Sequence, residues 1–202
     1  MKINNCATYF IVFLFFAMIR SRFLIQSIFF LFFISVVSAP GLAQEKNGVQ
    51  SFPKDFIGNW TGSLTWHPAG KEMQTVTMRL NIQPETGKSV YSWQLMYGDA
   101  TNDNRPYHLK PVDTAVGHWV IDENDGILLD GYWIGNRLIS NFSVQGSTIS
   151  AVYWLVGKEM HIEMISTKVA AVRESGKGTV DMPKVVSYPV SSYQKAILNK
   201  AQ

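Results

Sequence analysis

Alternation with a period of two runs through most of this chain. Trp60, Gly62, Leu64 and Trp66 share one face, while Thr61, Ser63 and Thr65 share the other. Val76, Met78, Leu80 and Ile82 alternate with Thr75, Thr77, Arg79 and Asn81, and Tyr91, Trp93, Leu95 and Tyr97 stand opposite Ser92, Gln94 and Met96. Successive side chains of a strand point to opposite sides, so these runs predict strands with one buried and one wet face. A short run follows around Tyr107 and Leu109, then longer ones over 117–122, 127–134, 137–144, 148–156 and 159–166.

Turn residues separate the runs: Pro84-Glu85-Thr86-Gly87, Asn124-Asp125-Gly126, Gly135-Asn136, Gly146-Ser147 and Gly157-Lys158. Pro53 is placed to open a single helical turn over 54–57. Residues 168–184 read as a loose, Gly-containing loop, and 185–198 as a closing strand or a strand followed by a short helix. Consecutive tight hairpins without a long helical pattern predict an all-β domain, an antiparallel up-and-down meander of about nine or ten strands closed into a barrel. The alternative is an immunoglobulin-type sandwich, which needs long Greek-key crossovers; these are scarce here.

The first 43 residues are a different material. Apart from Lys2, Arg20 and Arg22 they carry no charge, and nine of the twelve phenylalanines fall among them. From Met18 the order is that of a secretory signal peptide: Arg20 and Arg22, an apolar stretch over 23–37, then Gly41-Leu42-Ala43 as a small-x-small cleavage site before Gln44. Met18 is therefore the expected start, and residues 44–202 the expected exported domain. A membrane hairpin of the two apolar runs is the alternative, but each is short against the roughly 20 residues a spanning helix needs.

Removing that segment changes the charge and the cysteine count. The three leader cations account for the whole excess of +3, so residues 44–202 are formally neutral. No basic block remains, which argues against nucleic acid, or an anionic membrane, as a partner. Cys6 is the single cysteine, so an exported domain would have no disulfide and rely on its core. No nucleophile elbow, phosphate loop or dinucleotide fingerprint is present.

Gly58-Asn59-Trp60-Thr61-Gly62 opens the first strand. A Gly-x-Trp-x-Gly opening followed by an antiparallel meander resembles the calycin group: lipocalins, fatty-acid-binding proteins and nitrobindin-like barrels. The resemblance covers residues 52–166. It implies that Trp60 plugs the narrow end of a barrel, packed against an arginine that the sequence does not single out, and that the interior holds a small ligand. Nitrobindin-like barrels hold haem through a histidine near the C-terminus. Here no histidine follows His161, and His67, His108, His118 and His161 show no metal-ligand spacing, so no cofactor is expected.

All six tryptophans lie beyond residue 44, several on inward faces with tyrosines. Indole and phenol combine apolar area with a polar tip, which suits a pocket for an amphipathic molecule, although barrels of this size also fill themselves with side chains. The expected ligand-binding set is Trp66, Trp93, Tyr97, Arg105, Tyr107, Trp133 and Tyr153. Arg105 stands where it could meet a carboxylate at the mouth or pair with Asp99 or Asp103, and the first option makes the ligand an amphipathic anion. Asp99, Asn102 and Asp103 offer oxygens but lack the spacing of a calcium loop. Asp130 points outward if Leu129 and Trp133 point in. The opposite register would bury it and support the second reading, an enzyme using Asp130, Arg105 and Tyr107. A third reading has the outer surface meet a protein partner.

Overall fold

The computed structural model describes residues 50–98 and 103–201. The leader, with Cys6 and the Met18 start, lies outside the described residues, as do the Gln44 terminus and the loop residues Asp99 and Asn102. Ten strands close into one barrel: β1 (Gly58–Pro68), β2 (Gln74–Ile82), β3 (Tyr91–Tyr97), β4 (Asn104–Asp113), β5 (His118–Asp122), β6 (Leu128–Ile134), β7 (Arg137–Val144), β8 (Ser147–Val156), β9 (Glu159–Lys168) and, after an excursion, β12 (Val190–Lys200). Neighbours are antiparallel and consecutive, and closure is made by the outer members of the set, Gly62 facing Leu198 across β1 and β12. The meander barrel expected from the alternation is the observed fold. No helix among the described residues is long and apolar enough to cross a membrane.

Two elements differ from expectation, and a third settles on one of the two expected alternatives. β4 is a full strand of ten residues, not a short run. Pro106 and Pro111 disguise it, because proline lacks the ladder N–H; Pro111 sits beside a register shift between Pro111 and Asp113, where that lack is tolerated. The supposed loop over 168–184 contributes β10 (Arg173–Ser175), which pairs with β11 (Val185–Ser187) in a separate two-stranded sheet. The C-terminal segment ends in an uninterrupted strand, β12, with no helix.

The hairpins follow turn chemistry. Gly135 and Asn136 both take positive φ, 57° and 60°, the pattern of a type I′ turn whose twist matches the strands. Between β7 and β8 the positive angles fall on Gln145 and Gly146, 47° and 74°, one residue earlier than the Gly146-Ser147 turn expected.

One end of the barrel is sealed by aromatic packing. The 3-10 turn Lys54–Phe56 carries Phe56 into the core, where it is fully buried. Phe52 stacks on Trp133 at 4.9 Å and meets Trp119 edge-on at 5.2 Å. Trp60, 3% exposed, donates its indole N–H to the Phe56 carbonyl at 2.8 Å, so the opening tryptophan and the turn lock each other. The cation packed on Trp60 is Lys200, its Nζ 5.3 Å from the ring centre. Among the described residues no arginine takes that place: Arg137 lies over Trp154 at 5.4 Å, and Arg79 donates to the Gly98 carbonyl.

Candidate functional site

The opposite end is open, and the interior behind it is a cavity of about 530 Å³. Volume of that order is what small-molecule pockets offer. Its walls come from inward positions on nearly every strand, because alternate residues of all strands of a barrel converge on one volume. Trp93, fully buried, forms the floor with Tyr153, the rings meeting edge-on at 5.2 Å. Leu95, Ala151 and Met164 make the floor and walls mainly apolar.

Six of the seven residues named from the sequence are brought together here: Trp66, Trp93, Tyr97, Arg105, Tyr107 and Tyr153 all line the cavity. Trp66 stands at the rim, 38% exposed. Trp93 and Tyr107 face each other across β3 and β4. Trp133 is not among them. It points inward as the alternation required, but β6 carries it to the sealed end, where it packs against Phe52 and Phe56. Alternation reports which face a side chain takes and not its height along the barrel axis, so the error is one of height.

The rim is polar and its charges are unequal. Arg105 donates from Nε to Asp103 Oδ1 at 2.7 Å and from Nη2 to Oδ2 at 3.0 Å, a two-pronged pair. The guanidinium also lies over the Tyr97 ring at 5.0 Å. Hydrogen bonding from Asp103 holds the arginine even more firmly in its charged form. Arg105 is therefore engaged with a neighbour and is not a free anion receptor. Glu123, half-buried, lines the same mouth; among the described residues it has no cationic partner at ion-pair distance. Burial pushes the Tyr97 phenol up to about 12, against the pull of Arg105, and burial followed by the charge of Glu123 raises Tyr107. Tyr153 is raised by burial too. All three phenols are thus neutral hydrogen-bonding groups at physiological pH.

One polar group in this interior is unsatisfied. The indole N–H of Trp93 is buried and has no hydrogen-bond partner among the described residues. Most buried donors are paired, and an orphan costs roughly 1–3 kcal/mol. Ser140, also lining the cavity, donates to the Asp130 carbonyl at 2.7 Å.

Asp103 and Glu123 are the rim residues that the sequence reading did not assign to the site. Glu123 was legible in principle: Ile121 points inward, so a residue two further along the same strand direction does as well. Its place immediately before the Asn124-Asp125-Gly126 turn hid that parity.

Asp130 faces outward, 2.7 Å from His118 Nε2, and so has no access to anything held in the cavity. His118 in turn stacks on Tyr132 at 4.6 Å. The other three histidines lie on the outer face as well: His67 against Tyr193, His108 paired with Glu85, His161 paired with Glu159. Among the described residues, no group of three His, Cys, Asp or Glu side chains could hold a metal ion.

No protein-family model matches this chain, and no curated protein is significantly similar to it in sequence. Among solved structures, 11 chains are similar. One is the crystal structure of Rv2717c from M. tuberculosis, at 11% sequence identity and a TM-score of 0.46, the match covering 72% of this chain and 92% of that one. A likeness so distant carries no inference about function.

Proposed function

We propose that this protein is a non-covalent binder of a small amphipathic molecule, held inside a calycin-like barrel. The observation that carries the reading is a mainly apolar cavity of about 530 Å³, open at one end and walled by inward residues of nearly every strand. A side-chain-filled barrel would have closed that volume. The calycin likeness is supported by the Gly58–Gly62 opening at the sealed end with a cation on Trp60. The expected leader makes the site of action the periplasm or the exterior.

An enzyme on the same barrel is the weaker reading, since Asp130, the acid or base it would use, lies outside. The test is native mass spectrometry of protein purified from its own host, with tryptophan fluorescence of the stripped protein on adding the extracted molecule back. A non-covalent mass that returns on reconstitution is expected, with a change in the fluorescence of the cavity-lining tryptophans Trp66 and Trp93. Protein that carries nothing and whose fluorescence answers to no extract would sink the proposal.

A further inference from the structure

The charge of the cavity mouth goes further than the existence of a cavity. Among the described residues, three charged side chains line the pocket: Arg105, Asp103 and Glu123. The first two neutralise each other through two hydrogen bonds that occupy Nε and Nη2 of the guanidinium. A carboxylate arriving at this rim finds the arginine's best donors taken, and meets Glu123, whose charge is uncompensated. A cation meets the reverse: the Glu123 carboxylate and the ring of Tyr107, whose electron-rich face attracts positive charge, while the Tyr97 face is already covered by Arg105.

We infer that the preferred ligand is an amphipathic amine, with a cationic head at the Glu123 side of the mouth and its apolar body in the cavity above Trp93. The inference rests on the cavity-binding reading and replaces the anion suggested by Arg105 in the sequence. Free energy favours this arrangement because a half-buried carboxylate whose hydrogen-bonding neighbour is the neutral Tyr107 phenol gains a charge-assisted partner, whereas an anion must first break the Arg105–Asp103 pair.

A matched series with one alkyl chain tests it: dodecylamine, 1-dodecanol and dodecanoate, each below its micellar concentration, titrated calorimetrically into the protein at neutral pH in low and high salt. The amine should bind roughly fivefold or more tightly than the carboxylate, with the alcohol between them and the gap shrinking in high salt. Glu123→Gln should reduce the amine-to-carboxylate ratio at least threefold, measured against the alcohol to remove any general loss of fit. Arg105→Gln, which leaves Asp103 unpaired, should raise the same ratio. A carboxylate that binds as tightly as the amine, or a ratio untouched by Glu123→Gln, overturns the inference and leaves the cavity reading standing. Failure of all three probes to bind overturns both.

Discussion

Gly62 shows how much one residue can decide. It faces inward on β1 opposite Leu198, and a Cβ built there would fall on the carbonyl oxygen of Ile197. The two strands that close the barrel approach too closely for any side chain at that point, which is the physical content of the second glycine in the opening motif. Gly62→Ala should therefore destabilise by about 1–3 kcal/mol through strand displacement. Chemical denaturation measures it; an unchanged midpoint would show that β1 and β12 have slack. Tyr97 supplies a second test at this scale. Its phenol ionises at 10.0 when unperturbed and is pushed up to about 12 in the fold by burial. The fold thus favours the neutral form: that contribution is complete below pH 10 and disappears as pH rises through about 12. A tyrosinate difference titration of wild type against Tyr97→Phe should show a step near pH 12. A step near 10 would put the phenol in water.

Hairpin turns govern the element scale. Gln145 holds φ at 47°, a left-handed angle that costs a side chain like glutamine about 1–2 kcal/mol. Replacing it with asparagine creates Asn-Gly, the pair best suited to a type I′ turn, without touching either strand. Gln145→Asn should raise stability by roughly 0.5–1 kcal/mol with the denaturant slope unchanged. A lower midpoint would mean that the glutamine side chain makes a contact worth more than the strain. The same reasoning explains which elements were legible. Strands flanked by Gly-containing turns were placed within a residue or two. β4 was shortened because its prolines mimic breakers, β10 was read as loop because a three-residue strand is too short for alternation to register, and β11 was read as the start of the closing strand.

At the scale of the whole molecule, the two ends of the barrel have different tasks. One is sealed by Phe52, Phe56, Trp119 and Trp133, and the other is left open above Trp93. Phe56 touches both halves of the seal through its turn and its contact with Trp60. Phe56→Ala should cost about 3–5 kcal/mol, as for a large buried ring. Because the cavity lies at the far end, ligand affinity in the surviving folded fraction should change far less than stability does. Equal losses in both would show that the seal and the cavity form one cooperative unit.

The sequence by itself determined which side of several strands faces inward, the antiparallel order and much of the aromatic part of the cavity lining, because alternation and turn chemistry are local properties. It determined that Trp93, Tyr97, Tyr107 and Tyr153 point inward; six of the seven residues named for the site do share one volume. Height along the axis and pairing across the barrel were decided only by the tertiary structure. Strand tilt carries Trp133 to the seal while Trp93 stays at the cavity floor, although both are inward aromatics. Closure brings Lys200 from the far end of the chain onto Trp60. At the mouth, Asp103 takes the guanidinium of Arg105 and Glu123 is left uncompensated, so the sign of the rim reverses. Charges act through distance in space, and that distance does not exist until the barrel has closed.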